Sequence, residues 1–303
     1  MQKKITYKKF ERERVDFYLA SVYKNYSRSY FQKLIYKQKI FINGKFVLAS
    51  HKLKRGDVIS FEFEKEERLQ IEPEKIKLNI IYEDYDIIII NKQPSVVVYP
   101  SYGHTSGTLL NALMAHSKGK YNPYLVHRLD KDTSGLIVFA KNEKSKISIS
   151  KQLQKRTVKK IYLAAVKGTI AENKGRIEAP IGRSPKNRKL MSVNNLAKKM
   201  AISEFKVLER KDGYTLVEVR IITGRTHQIR SHMKYINHPV IGDQQYGGFE
   251  TCIDGKEYNR QMLHAHRITF THPRTLKTVE FNAELPSDMN EIFKNNFTGS
   301  KNT

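Results

Sequence analysis

The spacing of apolar residues changes early in the chain. Between residues 15 and 36, apolar side chains return every three or four positions, which predicts two helices with Ser27 as the N-cap of the second. From Ile40 onward the period is two, and Asn43-Gly44 is typical of a tight hairpin turn. The pattern therefore predicts two helices followed by a small sheet of hairpins.

Farther along the chain, strand-like and helix-like apolar patterns alternate. Strands are predicted near residues 86–91, 136–140, 161–167, 201–208, 214–222, 267–271 and 278–282. Helices are predicted near residues 108–116, 143–155, 226–236 and 287–294. Strands joined mainly by short turns, with helices placed irregularly among them, predict the α+β class with a mixed, largely antiparallel sheet.

These patterns divide the chain into segments. Pro73 and its polar neighbours are typical of a linker between two domains. We expect a basic tail at 1–10, a small α/β module at 11–70, a linker at 71–78, a larger domain at 79–296 and a disordered tail at 297–303.

The chain is strongly basic, with a formal net charge of +25 and a pI near 9.9. Residues 1–70 carry +9 of that charge, so both domains are basic. Such an excess predicts a polyanionic partner, either nucleic acid or an anionic membrane face. No apolar run approaches the about 20 residues that span a bilayer. Nucleic acid is therefore favoured, and no membrane association is expected.

Cysteine usage limits the chemistry. The single cysteine, Cys252, cannot form an internal disulfide, a thiolate zinc site or an iron–sulfur cluster, and it fits a reducing cytoplasm. Neither a Gly-rich phosphate-binding loop nor a dinucleotide fingerprint occurs in the sequence. We therefore expect a cytoplasmic protein without a small-molecule cofactor.

The densest polar cluster spans residues 126–142. Asp130 lies in a loop with Thr133 and Gly135 that leads into an apolar strand, so its carboxylate is expected at the edge of the sheet. That position suits catalysis, whereas an aspartate that bonds its own loop backbone is the alternative. The order His-Arg-Leu-Asp is not that of a kinase catalytic loop, and the companion kinase motifs are missing, which excludes a kinase.

A second polar cluster spans residues 223–248. Its segment 225–235 predicts a helix with Thr226, Arg230 and Lys234 on one face. Several histidines suggest a metal site, but their five-residue spacing does not stack two imidazoles and no His-Glu-x-x-His motif occurs. We therefore expect no metal.

A third segment, residues 159–168, alternates between the two faces of a strand. Tyr162 falls on the same face as Ala164 and Val166, and Lys160 lies near the entry of the strand. A half-buried strand tyrosine most often belongs to the core, so a core role and an active-site role both remain open.

Together the three segments resemble the RluA family of pseudouridine synthases. The resemblance extends over residues 78–295, in the order expected for the family. One departure is the turn Asn91-Lys92-Gln93-Pro94, where the family usually has Asn-Lys-Pro. The matching residues are His127-Arg128-Leu129-Asp130, Thr133-Ser134-Gly135, Tyr162, Gly224 to Arg230, Gly242-Asp243, Tyr246-Gly247 and Leu263-His264-Ala265.

The resemblance implies a pseudouridine synthase that acts on a uridine flipped out of its helix. Asp130 is then the catalytic anion, Arg230 its ion-pair partner, and Tyr162 the ring that stacks on uracil and could move a proton. No metal or cofactor is implied. Further substrate contacts are expected from His127, Arg128, Thr133, Arg225, Thr226, His227 and Leu263.

Residues 11–70 resemble a small RNA-binding domain that a ribosomal small-subunit protein shares with tyrosyl-tRNA synthetases. The resemblance rests on Arg14-x-Asp16, Ser27-Arg28-Ser29, Asn43-Gly44 and Gly56-Asp57. It implies phosphate contacts from Arg28, Lys33, Lys37 and Lys54. A merely solvated charge is the alternative for each of them.

The segment 179–193 resembles the RluD-like branch of the family, which modifies a hairpin of large-subunit RNA. We expect a mobile loop that closes over an RNA stem through Arg183 and Arg188, with an ordinary solvated turn as the alternative. The expected partner is therefore ribosomal RNA, with tRNA as the alternative, and the expected state is a monomer. A non-catalytic RNA-binding factor and a metal-dependent nuclease are the rival functions.

Overall fold

The structure of the protein is a computed structural model. It describes residues 2–24, 26–64, 71–100, 105–185, 187, 190–194, 197, 199–247, 252–253 and 256–293. The chain divides into two compact units, Met1–Gln70 and Ile71–Thr303. Within the described ranges, no helix is long and apolar enough to cross a membrane.

The N-terminal unit packs two helices against an antiparallel sheet with strand order β1-β4-β2-β3. As predicted, the side chain of Ser27 caps the second helix by accepting the N–H of Tyr30. Asn43 and Gly44 form the hairpin turn, both with positive φ. The elements are β1 (Gln2–Thr6), α1 (Val15–Val22), α2 (Arg28–Tyr36), β2 (Ile40–Ile42), β3 (Lys45–Phe46) and β4 (Val58–Glu62).

The expected basic tail at residues 1–10 is wrong for residues 2–6, which form β1. Ile5 and Tyr7 lie two positions apart, so both point into the core, where Tyr7 has no exposed surface. Lys4 and Thr6, the two neighbours of Ile5, are exposed. The density of lysines concealed this alternation, and the segment is an edge strand of the sheet.

The larger unit is built on a sheet in which eleven described strands take part. Its main path runs β11-β10-β12-β13-β9-β16-β8-β6-β5, with β17 paired to β16, β7 paired to β8, and β14 and β15 forming a separate hairpin. The elements are β5 (Ile80–Glu83), β6 (Ile87–Lys92), α3 (Leu109–Ser117), β7 (Tyr124–Leu125), β8 (Ser134–Ala140), α4 (Glu143–Lys155), β9 (Lys159–Lys167), β10 (Lys174–Arg183), β11 (Met191–Val193), β12 (Met200–Lys211), β13 (Tyr214–Ile221), α5 (Gln228–Tyr235), β14 (Cys252–Ile253), β15 (Lys256–Glu257), β16 (Leu263–Thr271), β17 (Thr278–Asn282) and α6 (Ser287–Phe293).

The pairing of these strands is mostly antiparallel. Among the described strands, β8 and β16 form the one parallel pair. The predicted α+β class with a mixed, largely antiparallel sheet is therefore confirmed.

The core lies on both faces of this sheet because side chains alternate along each strand. On β9, Tyr162, Ala164 and Val166 pack in one cluster with Ile229 of α5. The intervening residues of β9 belong to a second cluster, which includes side chains of α6. The prediction that Tyr162 shares a face with Ala164 and Val166 is confirmed.

Strands β8 and β16 come very close where β8 begins. Gly135 has a φ of +108°, and a Cβ atom there would lie 2.3 Å from the carbonyl oxygen of Ala265. Glycine is therefore required at this position. The close approach sets the loop that precedes β8 beside β16 and its neighbour β9, where the candidate site lies.

Residues 179–183 and 191–193 of the segment where we expect a mobile loop are strand, so the expectation is left for residues 184–190, which join the two strands. Strands β10 and β11 form an antiparallel pair there, and buried residues alternate along 177–181. Proline is unusual inside a sheet, so Pro180 argues against a strand at this position. For this reason the sequence did not predict β10. Arg183 is exposed at the end of β10, and Arg188 lies outside the described residues.

Helix α5 begins two residues later than predicted. His227 is its N-cap and adopts the left-handed conformation, with φ +52°, so Thr226 precedes the helix. The prediction that Thr226 shares a helical face with Arg230 and Lys234 is therefore wrong. Within the helix, Arg230 is buried and Lys234 is exposed.

Candidate active site

A cavity of about 450 Å³ opens on the face of the larger sheet that packs against α5. This volume lies in the range of about 300–1,000 Å³ that is usual for ligand pockets. Its walls come from the loop before β8, from β9, and from the segment that joins β13 to α5. The predicted site residues that line it are His127, Arg128, Asp130, Thr133, Tyr162, Arg225, Thr226, His227, Arg230 and Leu263.

Asp130 and Arg230 form an ion pair in this cavity. Asp130 Oδ2 accepts a hydrogen bond from Arg230 Nη1 at 3.2 Å. The Asp130 side chain is 21% exposed, whereas that of Arg230 is 5% exposed. The carboxylate is thus accessible from the cavity while a buried guanidinium holds it from behind.

Arg230 is fixed by a second carboxylate, that of Asp243. Arg230 Nε and Nη2 donate to the two Asp243 oxygens at 2.6 and 2.8 Å, and Nη2 also donates to Gln245 Oε1 at 2.9 Å. Burial acts to lower the pKa of Arg230, but its bonds to Asp243 and Asp130 outweigh that effect and raise the pKa. The sequence reasoning noted Asp243 within the family motif but missed this role.

Tyr162 lies beside the ion pair on β9 and is 7% exposed. Burial raises the pKa of its phenol, and the charge of Asp130 adds to the effect. The hydroxyl makes no hydrogen bond within the described part of the chain. Tyr162 is therefore a neutral phenol that belongs to a core cluster and also lines the cavity.

The loop that carries Asp130 is tied to the end of β6 by Lys92. The Lys92 side chain is buried, and its ammonium donates to the carbonyl oxygens of Lys131 and Gln93 at 2.7 and 2.8 Å. Burial lowers the pKa of Lys92 to about 7. Inside the loop, Thr133 N–H donates to the carbonyl oxygen of Asp130 at 3.2 Å, which closes a turn. The sequence reasoning missed Lys92 because it lies in the turn that departs from the family pattern.

His127 anchors the start of the same loop. Its Nε2 accepts the backbone N–H of Val138 at 3.1 Å. Burial, together with the charge of Lys160, lowers the pKa of His127 to about 3, so the ring is neutral. Burial also lowers the pKa of Lys160, a second residue in the cavity wall, to about 8. Arg128, between the anchor and Asp130, is exposed at the cavity.

The segment before α5 is organised by a buried glutamine. Gln228 Oε1 accepts from Thr223 Oγ1 at 2.7 Å and from Arg225 N–H at 3.0 Å. Its Nε2 donates to the carbonyl oxygen of Ile202 at 2.9 Å on β12. Gln228 thereby fixes the backbone that presents Arg225 and Thr226 to the cavity. The sequence offered no signal for this clamp, because a glutamine in a polar helix is usually exposed.

The residues predicted to contact RNA in the N-terminal unit do not line this cavity. Arg28 Nε donates to the buried Asp16 at 2.8 Å, and the guanidinium lies 3.9 Å from the ring centre of Phe17. Lys37 pairs with Glu64 at 2.8 Å. Lys33 and Lys54 are exposed.

Within the described residues, Asp84, Asp86 and His272 form a group with the donor atoms of a metal site. Their potential ligand atoms lie within 4.8 Å of one another. His272 Nε2 already pairs with Asp84 Oδ2 at 2.8 Å, and Arg274 pairs with Asp86. The donor atoms of this group are therefore already bonded to protein side chains. The group is a structural network, and its residues do not line the cavity.

Comparisons with known proteins agree on one family. A family model described as RNA pseudouridylate synthase matches residues 86–235, and one described as an S4 domain matches residues 13–59. An uncharacterized RNA pseudouridine synthase of Bacillus subtilis is 44% identical over 289 residues, which cover 93% of this chain and 94% of that protein. A ribosomal large subunit pseudouridine synthase D of Vibrio cholerae is 39% identical and covers 92% of this chain and 90% of its own length.

A solved structure is also similar. Human RNA pseudouridylate synthase domain containing 1 matches with a TM-score of 0.57 and 30% sequence identity. The match covers 69% of this chain and 84% of that one. A structural likeness of this extent agrees with the sequence comparisons.

Proposed function

This chain belongs to the RNA pseudouridylate synthase family, and from that premise we propose that it isomerises specific uridines in large-subunit ribosomal RNA, with Asp130 as the catalytic anion. The observation that carries the assignment of Asp130 is its ion pair with the buried Arg230, at 3.2 Å, in a cavity that Tyr162 also lines. One accessible carboxylate, one fixed cation and one aromatic ring are the groups that the proposed reaction uses.

The reaction breaks the bond from ribose C1′ to uracil N1 and forms a bond from C1′ to uracil C5. The C5 proton is lost and N1 gains a proton, so the change is an isomerisation without net oxidation or reduction. An ionised Asp130 serves in each available route, whether it attacks the ribose or the ring, or removes a ribose proton to give a glycal. Arg230 keeps the carboxylate in place throughout.

The uridine must leave its helix before Asp130 can reach it. Flipping a base costs a few kcal/mol and is least costly in loops. In our proposal, Tyr162 stacks on the extruded uracil, because base–aromatic stacking contributes about 1–3 kcal/mol. The buried phenol stays neutral, so its hydroxyl keeps a hydrogen that it can share with the leaving or the returning base in a hydrogen bond.

Arg128 is suited to hold the RNA around the flipped nucleotide. Its side chain is exposed at the cavity and lies two residues from Asp130. We assign it to the flipped nucleotide, where it fills the vacated stack or binds a phosphate. If this is right, Arg128→Ala weakens RNA binding or slows flipping, and wild-type rates with a fluorescent-base substrate would rule the assignment out.

The remaining RNA contacts are assigned to basic side chains that are accessible in the described structure. In the N-terminal unit these are Arg28, Lys33, Lys37 and Lys54. Near the cavity we assign Arg225, and at the end of β10 we assign Arg183. Such contacts hold the phosphate backbone without reading its sequence.

The choice of ribosomal RNA rests on the relatives whose names state that they act on the large subunit. The basic S4-type unit fits this choice, because a net charge of +9 over residues 1–70 favours a structured polyanion. The proposal includes a monomeric enzyme in the cytoplasm.

Liquid chromatography with mass spectrometry of the nucleosides from RNA treated with the purified protein tests the proposal, because chromatography separates pseudouridine from uridine of the same mass. Pseudouridine should appear in large-subunit RNA transcripts, and it should persist when a chelator is present. Modification of tRNA alone would contradict the choice of substrate. Cleavage of the RNA that stops on chelation would instead indicate a metal-dependent nuclease, and binding without modification would indicate a non-catalytic RNA-binding factor.

A further inference from the structure

His227 lies between Asp130 and Tyr246. Its Nε2 is 3.8 Å from Asp130 Oδ1, and its Nδ1 is 2.9 Å from the Tyr246 hydroxyl. The side chain is 19% exposed and lines the cavity. His227 therefore faces the Asp130 oxygen that Arg230 does not contact.

The backbone at His227 is unusual and sets the direction of the ring. It adopts φ +52° and ψ +28°, a left-handed conformation that non-glycine residues rarely adopt. Although His227 is the N-cap of α5, its side chain makes no capping hydrogen bond. The imidazole instead packs edge-on against Tyr246, with ring centres 5.7 Å apart. Backbone strain of this kind often accompanies function.

The hydrogen bonds around Tyr246 favour one tautomer of His227. The Tyr246 oxygen accepts the backbone N–H of Met191 at 2.9 Å, which leaves the phenol proton for another acceptor. The Ser231 hydroxyl also reaches the Tyr246 oxygen, and we assign the phenol proton to His227 Nδ1, which lies 2.9 Å away. The proton of a neutral His227 ring then resides on Nε2, the atom that faces Asp130. The opposite tautomer would direct an unshared pair at a carboxylate, which is unfavourable.

The surrounding charges keep the ring neutral. Burial lowers the pKa of His227, and Arg230 and Arg128 act in the same direction. Asp130 and Asp243 oppose this effect without overcoming it. At neutral pH the ring is therefore a single N–H donor and does not neutralise the carboxylate.

We propose that His227 is a positioning residue, which Tyr246 holds as the Nε2–H tautomer so that it donates to Asp130 Oδ1 when uridine fills the cavity. Arg230 and His227 then hold the two oxygens of one carboxylate, and two unshared pairs remain for the reaction. The 3.8 Å separation is longer than a hydrogen bond, and catalytic contacts of this kind commonly shorten in the substrate complex. The inference rests on the proposed role of Asp130.

The tautomer is tested without any measurement of activity. The full-length protein with ¹⁵N-labelled histidine is studied by long-range ¹H–¹⁵N NMR, and His227→Gln identifies the signal. We expect Nε2 to be protonated and Nδ1 to be an acceptor. We also expect the pattern to change in Tyr246→Phe, which removes the donor to Nδ1. A protonated Nδ1 in the wild-type protein would overturn the inference.

Two substitutions of His227 distinguish the roles of its two ring nitrogens. The amide of Asn reaches the position of Nδ1, while that of Gln reaches the position of Nε2, and Asn also tolerates the left-handed conformation. We expect His227→Asn to lower the single-turnover rate by about tenfold or more, as for the loss of a hydrogen bond to a charged group. His227→Gln should recover most of the rate, and the Kd for RNA should change less than twofold in both variants.

His238→Gln is the matched control, because His238 bonds to the carbonyl oxygen of Lys167 and does not line the cavity. Its rate should equal that of the wild-type protein. Equal rates for His227→Asn and wild type, with Asp130→Asn inactive, would overturn the role of His227 alone. A wild-type protein that forms no pseudouridine would overturn the proposed function, and in that case the inference fails with it, whatever the NMR pattern.

Discussion

Arg230 Nη1 and Asp130 Oδ2 lie 3.2 Å apart although 100 residues separate them in the chain. The pair is asymmetric, because Asp243 holds the other side of the guanidinium with two shorter bonds. Arg230 therefore keeps a counter-ion when Asp130 is changed. This arrangement separates the proposed chemistry of Asp130 from the stability of the fold.

Asp243→Asn should destabilise the larger unit and also reduce turnover. The Asp243 side chain has no exposed surface, so its loss leaves the guanidinium buried and only partly paired. Breaking such a pair typically costs about 3–5 kcal/mol. Denaturant unfolding measures the change, and Asp130→Asn is the control, with an expected loss below about 1 kcal/mol. Equal losses in the two variants would contradict the asymmetry.

Tyr162→Phe should keep more activity than Tyr162→Leu. Phe retains the ring that stacks on uracil and removes a hydroxyl that has no partner in the described structure. Leu loses the stacking, which predicts a further decrease of about tenfold to hundredfold in single-turnover rate. Tritium release from RNA labelled at uracil C5 measures both rates. Equal decreases would show that stacking is not the main role of Tyr162.

Gly135→Ala should prevent the larger unit from folding normally. The added Cβ would lie 2.3 Å from the carbonyl oxygen of Ala265, where both strands are fixed in the sheet. Gly213→Ala is the matched control, because Gly213 also has a positive φ, +76°, but no atom lies within 4 Å of an added Cβ. The control should lose about 1 kcal/mol through backbone strain alone. Similar thermal unfolding of the two variants would contradict the close approach.

The N-terminal unit should lose stability as the pH falls from about 4 to about 2. Burial acts to raise the pKa of Asp16, but bonds from Arg14, Gln32 and Arg28 outweigh it and lower the pKa from 3.8 to about 2. A carboxyl group with a lowered folded pKa stabilises above its unfolded pKa, and that stability disappears as it protonates.

NMR amide signals of Leu19 and Phe31, two core residues of this unit, follow the acid unfolding. In Asp16→Asn the unit should be less stable at pH 7 and should depend less on pH over this interval. An unchanged acid transition in the variant would assign the effect to another carboxylate.

Much of the site could be predicted because its residues lie in regular patterns. The alternation along β9 correctly gave the face of Tyr162, and the loop-to-strand transition after Asp130 correctly gave a position at the start of β8. These are local properties, which a sequence displays directly.

Features that depend on contacts between distant segments could not be predicted. Pro180 concealed the pairing of β10 with β11, and the left-handed conformation of His227 has no sequence signal in a non-glycine residue. The bond from Arg230 to Asp243 requires the chain to turn back toward α5 at Gly242, whose φ is +75°. Tertiary packing sets such a turn of the chain and overrides local propensity.

The central claim is that Asp130 is the catalytic anion. The most direct test compares Asp130→Asn with the wild-type protein on a large-subunit RNA transcript, by tritium release from uracil C5 and by RNA binding in parallel. We expect no release above background and a Kd close to that of the wild-type protein, because Asn keeps the size of the side chain and removes its charge. Substantial tritium release by Asp130→Asn would contradict the account.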